Sequence, residues 1–205
     1  MTIEAIFFDF GGVLLKHADG IDHKVIEAQF DLPERTVFNC LYRDSRYKDF
    51  FVGKCTEQEW VDSIREATVR NVGDKALPML KAVREANIDL NPDMVHLMER
   101  LHGRYRLGII SNTTPGMEER FQSQFPQLIE LTEVRVGSGD LKIAKPKPEI
   151  FHHAAKEMGV SLEVSVFTDD TASYATAATE LGMHGIHFTD YESFVTSLDA
   201  IGVAL

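Results

Sequence analysis

Carboxylate side chains follow two apolar segments that lie far apart in this chain of 205 residues. Asp9 sits at the end of the run at 5–10, and Asp169 and Asp170 come after the run at 164–167. Like charges that are brought together repel one another unless they share a cation or a proton. Carboxylate oxygens are ligands that hard cations prefer, so the three residues predict a Mg²⁺ site.

Two further polar segments carry groups that could act on an anionic substrate. Residues 111–113, Ser-Asn-Thr, follow an apolar run, and Lys142, Lys145 and Lys147 lie in a segment that two prolines restrain. A lysine held near metal-bound carboxylates would stabilise an anionic substrate and its transition state. Taken alone, the lysine segment also suits a solvated basic loop.

The elements that must position these groups are short apolar strands separated by helices. Apolar runs at 5–10, 105–110, 164–167 and 185–188 are typical of buried strands. Helical patterns separate them, beginning at Pro92 and Pro148 and running through 175–181. The alternation predicts an α/β fold with a doubly wound, parallel, Rossmann-like sheet. In such sheets ligands bind beyond the carboxyl ends of the strands, although Asp, Ser and Asn also end strands simply because they favour turns.

One long segment departs from the alternation of strand and helix. Residues 16–88 read as successive helices, which predicts an inserted, all-helical domain, with 1–15 and 89–205 forming the α/β core. The best-supported helix of the insert begins at Thr56, which has a capping-box pattern with Glu59.

Composition and charge restrict the class of protein. Hydrophobic residues make up 44% and charged residues 26%, which suits a globular protein, and the net charge of −11 disfavours nucleic acid or anionic membranes as partners. We expect a cytoplasmic protein, because no secretion signal precedes the core and no apolar run reaches the roughly 20 residues of a membrane helix. Cys40 and Cys55 suit reduced thiols. A monomer and a homodimer are both compatible with the sequence.

The polar segments together resemble the four ordered motifs of the haloacid dehalogenase (HAD) superfamily of hydrolases. The order and spacing resemble the subfamily with a helical cap (a C1 cap) inserted after the first motif. The motifs are Asp9-Phe10-Gly11-Gly12-Val13-Leu14, Ser111-Asn112-Thr113, Lys145-Pro146-Lys147-Pro148-Glu149-Ile150-Phe151 and Phe167-Thr168-Asp169-Asp170.

The resemblance implies a role for each motif residue in a Mg²⁺-dependent phosphatase of a small phosphorylated metabolite. Asp9 would be the nucleophile that forms an aspartyl intermediate, and it would also bind the metal. Ser111 and Asn112 would hydrogen-bond the transferring group, and Lys145 would neutralise negative charge. The resemblance also implies that Asp170 and the backbone carbonyl of Gly11 bind the metal directly. Asp169 would lie beside Asp170 or act on the metal through water.

The chain departs from the phosphatase pattern at Gly11, where phosphatases of this family usually carry a second aspartate as general acid and base. Such catalysis contributes roughly 10²–10⁴-fold, so another donor or a good leaving group is needed. His17 is one candidate donor, although a surface role is the simpler interpretation. Arg43 and Arg46 of the insert are candidate substrate contacts, although they equally suit a solvated helix face.

Two other functions stay open at this stage. One is a 2-haloacid dehalogenase, a class that also lacks the second aspartate but uses no metal. The other is a catalytically weakened binding protein that keeps the fold.

Overall fold

The structure is a computed structural model that describes residues 2–17, 19–50, 52–86 and 88–205. Met1, Ala18, Phe51 and Asn87, which belong to the predicted core and insert, lie outside the described residues. Five parallel strands form one sheet in the order β3-β2-β1-β4-β5. Connections lead away from β1 in both directions, which confirms the predicted doubly wound α/β fold. The strands are β1 (Ala5–Phe8), β2 (Arg106–Ser111), β3 (Val134–Gly137), β4 (Ser165–Asp169) and β5 (His184–His187).

Helices account for most of the remaining structure. The described residues between 16 and 88 form helices and turns, consistent with a helical cap; the helices are α1 (His23–Gln29), α2 (Thr36–Phe38), α3 (Tyr47–Phe50), α4 (Glu57–Val72) and α5 (Ala76–Glu85). The helices that follow are α6 (Pro92–Leu101), α7 (Met117–Gln124), α8 (Pro126–Leu131), α9 (Ser138–Leu141), α10 (Pro148–Met158), α11 (Ala172–Glu180) and α12 (Tyr191–Ala200). No helix in the described ranges is long and apolar enough to cross a membrane.

The central strand β1 is buried on both faces, which explains its continuous apolar sequence. Ile6 and Phe8 belong to one hydrophobic cluster, which also contains residues of α6, α7 and α12. Ala5 and Phe7 point to the opposite cluster, which contains residues of α10 and α11. Successive side chains of a strand alternate between its faces, so two helical layers cover one short run.

Local signals set several helix ends. Helices α6 and α10 begin with prolines at their first position, and α10 ends at Gly159, whose φ of 70° is a left-handed conformation. At the start of α4, Thr56 Oγ1 accepts a hydrogen bond from Glu59 N at 3.3 Å, and Thr56 N donates to the Glu59 carboxylate at 2.8 Å. The predicted capping box is therefore formed.

The edge strand β3 escaped prediction from the sequence. It has four residues, pairs with β2, and is only partly buried. Its Arg135 points toward α7 and pairs with Glu118 at 2.9 Å. A short edge strand with a charged side chain has neither the length nor the apolar run of a central strand.

The helical segment joins the core through two paired linkers. Leu15 pairs with Leu90 in antiparallel fashion, and Lys16 N donates to Asp89 O at 3.1 Å. The helical segment has its own hydrophobic cluster, separate from those of the sheet, built on Ile26, Val37, Cys40, Leu41 and Met79. The helical segment therefore has a hydrophobic core of its own.

Candidate active site

The strand register brings two carboxylates side by side. Phe8 of β1 is paired with Thr168 of β4, so Asp9 and Asp169 follow at matched positions of neighbouring strands. Asp9 N donates to Thr168 O at 2.8 Å, which holds the chain beyond the end of β1 in place. Oxygens of Asp9, Asp169 and Asp170 all lie within 4.8 Å of one another.

A buried lysine bridges two of these carboxylates. Lys145 Nζ lies 2.8 Å from Asp9 Oδ1 and 2.5 Å from Asp169 Oδ2. Burial by itself lowers the pKa of Lys145, but the charges of Asp9 and Asp169 raise it above its ordinary value. The ammonium group is therefore protonated at neutral pH. It also lies 5.3 Å from the ring centre of Phe167 and 5.4 Å from that of Tyr174.

One lysine does not balance the negative charge of the cluster. The pKa of Asp9 is raised from 3.8 to about 7, chiefly by burial and also by the charge of Asp169, against the lowering effects of Lys145 and of the Phe10 N–H group. Partial loss of solvent, followed by the charge of Asp169, also raises the pKa of Asp170. A second cation would stabilise the ionised cluster.

The donor set fits a hard divalent cation. Three carboxylates meet at one point, and Gly12 leaves room for Asp170 there: a Cβ at Gly12 would lie 2.3 Å from Asp170 Oδ2. Gly12 also has a φ of 74°, which residues with side chains rarely adopt. Gly11, an expected carbonyl ligand, lies in the wall of the same cavity as Asp9. Oxygen donors and an excess of negative charge are the features that Mg²⁺ prefers.

The second motif contributes to the cavity wall and also supplies a clamp on Lys145. Ser111 ends β2, is buried, and lines the cavity with Asp9 and Lys145. Asn112 Nδ2 donates to Lys145 O at 3.1 Å, and Lys145 N donates to Asn112 Oδ1 at 2.8 Å. The Asn112 amide thus holds the lysine backbone, a role that its place in the sequence did not indicate.

The loop after Asn112 is held by residues that sequence reasoning missed. Ser138 Oγ accepts a hydrogen bond from Thr113 N at 3.0 Å, and Asp140 accepts two from the backbone at the start of α7. Arg120 donates to Thr114 O at 2.9 Å and also to the Pro115 carbonyl. The bonds made by Ser138 and Asp140 join residues 23 to 25 positions apart, so no local sequence signal marks them.

These groups lie at one end of a cavity of about 960 Å³ between the helical segment and the sheet. Arg43 and Lys48 line it, whereas the described lining includes neither Arg46 nor His17. Arg46 instead pairs with Asp49 and Glu59 on the surface of the helical segment. The structure therefore brings one of the two predicted arginines to the cavity.

The structure is that of an α/β protein whose doubly wound sheet carries a carboxylate cluster and a buried lysine at its carboxyl edge. The model of the haloacid dehalogenase-like hydrolase family matches residues 3–182, and the chain belongs to this family. The resemblance stated from the four motifs is thereby confirmed at the level of the family.

Known relatives place the chain further. It is 22% identical over 191 residues to the sesquiterpene phosphatase astK of Aspergillus oryzae, covering 92% of this chain and 91% of that protein. A HAD family enzyme from Bacteroides thetaiotaomicron, crystallised with magnesium and inorganic phosphate, superposes with a TM-score of 0.66 at 25% identity, over 88% of this chain and 91% of that one.

A third relative shares the fold alone. L-2-haloacid dehalogenase from Xanthobacter autotrophicus, with chloropropionic acid covalently bound, has a TM-score of 0.60 at 16% identity, covering 100% of this chain and 85% of that one. The architecture is therefore common to proteins of different chemistry, and the function must be argued from the site.

Proposed function

We propose that this protein is a Mg²⁺-dependent phosphatase that hydrolyses a small phosphorylated metabolite through an aspartyl-phosphate intermediate on Asp9. The observation that carries the proposal is the buried Lys145 ammonium between Asp9 and Asp169, with Asp170 in the same cluster. The similarity to a phosphatase and to an enzyme crystallised with magnesium and phosphate supports it.

The mechanism follows from the position of Asp9 at the floor of the cavity. Its carboxylate oxygen attacks phosphorus, a new O–P bond forms, and the bond between phosphorus and the substrate oxygen breaks. Water then attacks the phosphorus of the aspartyl phosphate, which releases inorganic phosphate and regenerates the carboxylate. Lys145 neutralises charge on Asp9 and on the phosphoryl oxygens, and the Ser111 hydroxyl hydrogen-bonds the transferring group.

Asp9 is proposed to act both as the nucleophile and as a ligand of the cation. Asp9, Asp170 and the Gly11 carbonyl would hold Mg²⁺, with Asp169 beside them or acting through water. Bound Mg²⁺ would supply neutralisation of charge on the phosphoryl oxygens and orientation of the substrate.

The departing oxygen needs a proton that position 11 cannot supply, because Gly11 has no side chain. Substrates whose leaving group is stable as an anion, such as acyl phosphates, need this proton least. We therefore propose that acyl phosphates and sugar 1-phosphates react faster than simple alkyl phosphates when binding is equal.

The charge of the cavity supports an anionic substrate. Among the described residues, seven lysines and arginines line it against three aspartates, although the whole protein has a net charge of −11. The excess of positive charge is thus concentrated at the proposed binding site. A local field of this kind attracts phosphorylated molecules without a basic protein surface.

A dehalogenase is the second candidate, because Gly11 replaces the acid of the phosphatases in this chain. The adjacent carboxylates Asp169 and Asp170 oppose it, since they create a cation site that metal-free chemistry does not need. Halide release from a chlorinated acid in the presence of a chelator would favour the dehalogenase.

The test of the phosphatase uses the full chain with acetyl phosphate and glucose 1-phosphate, with Mg²⁺ or with a chelator. We expect release of phosphate that requires Mg²⁺ and that Asp9→Asn abolishes. The matched control is Asp190→Asn: Asp190 caps α12 on the surface, and asparagine is an equally good cap. Hydrolysis that survives in the chelator or in Asp9→Asn would contradict the mechanism. Mg²⁺-dependent binding without turnover would indicate a weakened binding protein.

A further inference from the structure

The cavity extends beyond the phosphate-binding end, and much of the extended wall is aromatic. Eight aromatic residues of the described chain line it, from both the helical segment and the core. Leu15, Val52 and Ile88 add aliphatic surface. Cavities that recognise a polar group need hydrogen-bond partners along their walls, whereas aromatic walls bind apolar groups. The aromatic and aliphatic composition of this wall therefore indicates that the substrate has an apolar part.

The helical segment contributes a continuous row of rings. Phe38 contacts Tyr42 with 5.4 Å between ring centres, Tyr42 contacts Tyr47 at 4.8 Å, and Tyr47 contacts Trp60 at 6.0 Å. All four residues line the cavity and are only half-buried. Of these four residues, Tyr42 also packs against the hydrophobic cluster around Met79, whereas Phe38, Tyr47 and Trp60 are not among the described members of that cluster.

The core contributes a second group of rings beside the nucleophile. Phe10, which directly follows Asp9, lies 4.7 Å from Phe121 and 5.1 Å from Phe125 between ring centres. These three rings line the same cavity. An apolar group attached to a phosphate held at Asp9 would therefore lie between the aromatic surfaces of the core and of the helical segment.

We infer that the substrate is a phosphorylated compound whose organic part is bulky and apolar, and that this hydrocarbon part fills the space between these two aromatic surfaces. The inference rests on the proposed phosphatase function for the position of the phosphate group. Half-buried rings gain stability when an apolar ligand removes their remaining surface from water. The Lys145 ammonium beside Asp9 and the aromatic side chains of the cavity wall match the two ends of such an amphiphile.

The experiment measures binding separately from catalysis. The dissociation constants of alkylphosphonates from ethyl to decyl, which cannot be hydrolysed, are determined by calorimetry with Mg²⁺ present. We expect the affinity to rise about two- to fourfold for each methylene until the cavity is filled. A phosphonate carrying a six-carbon polyol should bind more weakly than hexylphosphonate. A dissociation constant that does not change with chain length, or tighter binding of the polyol, would overturn the inference.

Two variants assign the effect to the cavity wall. Phe38→Ala should raise the dissociation constant of decylphosphonate by a factor at least five times larger than that for ethylphosphonate. The matched control is Phe30→Ala, another half-buried phenylalanine of the helical segment, which packs against the cluster around Met79 and is not part of the described cavity lining. It should leave the dependence on chain length unchanged. An equal loss of chain-length dependence in both variants would also overturn the inference.

Hydrolysis of acetyl phosphate by the same preparation distinguishes the two proposals. Its absence, together with a clear chain-length dependence of binding, contradicts the phosphatase but not the apolar cavity. Hydrolysis of acetyl phosphate together with a dissociation constant that does not change with chain length contradicts only the proposed substrate class.

Discussion

The wild-type protein should be less stable than a variant that lacks the buried, ionisable carboxyl group of Asp9. In the folded protein burial raises the pKa of Asp9 from 3.8 to about 7, even with Lys145 at 2.8 Å. A raised pKa means that the folded protein binds the proton more tightly than the unfolded chain does. Stability is therefore lost as pH rises from about 4 to about 7, and the loss is complete above that range. Asp9→Asn removes the ionisable group and should remove this loss.

The magnitude follows from the pKa. A rise from 3.8 to about 7 corresponds to about 4 kcal/mol between the neutral and ionised forms of the side chain. In the variant Lys145 keeps Asp169 as a partner at 2.5 Å, so its charge is not left unpaired. For a chain of 205 residues, 4 kcal/mol corresponds to an upper limit of about 8–16 °C in Tm.

The assay is thermal unfolding of both proteins between about pH 5 and pH 8 in a chelator. The Tm of Asp9→Asn should exceed that of the wild type most at the upper end of this range, and the difference should narrow toward acid pH. Mg²⁺ should raise the Tm of the wild type more than that of the variant, because it binds the folded form. Asp190→Asn serves as the control and should change Tm little. An Asp9→Asn protein that is less stable than the wild type at the highest pH would refute the reasoning.

Three further expectations concern activity. Asn112→Ala removes two hydrogen bonds to the Lys145 backbone. It should lower kcat for acetyl phosphate roughly 10–100-fold and lower the free energy of unfolding, measured in urea, by about 1–3 kcal/mol. An unchanged kcat would show that the clamp does not position the lysine. Gly11→Asp introduces a carboxyl group at a residue whose φ of −74° any amino acid can adopt. The variant should hydrolyse alkyl phosphates about 10²-fold faster but acetyl phosphate only slightly faster, because the new acid helps a poor leaving group most. Equal effects on both substrates would contradict the explanation that Gly11 leaves the site without a general acid. Increasing ionic strength should lower kcat/KM with little effect on kcat, because salt screens the cationic cavity, and a salt-independent kcat/KM would argue against steering by these charges.

The main elements of the fold could be predicted because they are marked locally. The run at 5–8 is apolar at every position, since both faces of β1 are covered by helices. Pro148 and Gly159 mark the two ends of α10 through their backbone preferences. The edge strand β3 carries no such mark, because its four residues include Arg135, whose charge is paired with Glu118 of α7. Local pattern thus predicts four of the five strands of the described sheet, the edge strand β5 included.

The substrate cavity could not be predicted in the same way. Phe10, Phe38 and Trp60 come from separate segments, and each reads in the sequence as an ordinary core residue. The two arginines of the helical segment look alike in the sequence, yet Arg43 lines the cavity and Arg46 pairs with acidic residues on the surface. Which side chains face the cavity depends on how the helical segment packs over the sheet, and this is a long-range property.

The sequence by itself determined which chemical groups stand at the ends of the strands: Asp9, Ser111, and the pair Asp169 and Asp170. Alternating strands and helices require those ends to converge, whatever the details of packing. Only the tertiary structure decided that the Lys145 ammonium lies between two carboxylates and that Asn112 holds its backbone. The protonation of buried groups depends on distances of a few ångströms and on the exclusion of water, which chain order does not specify.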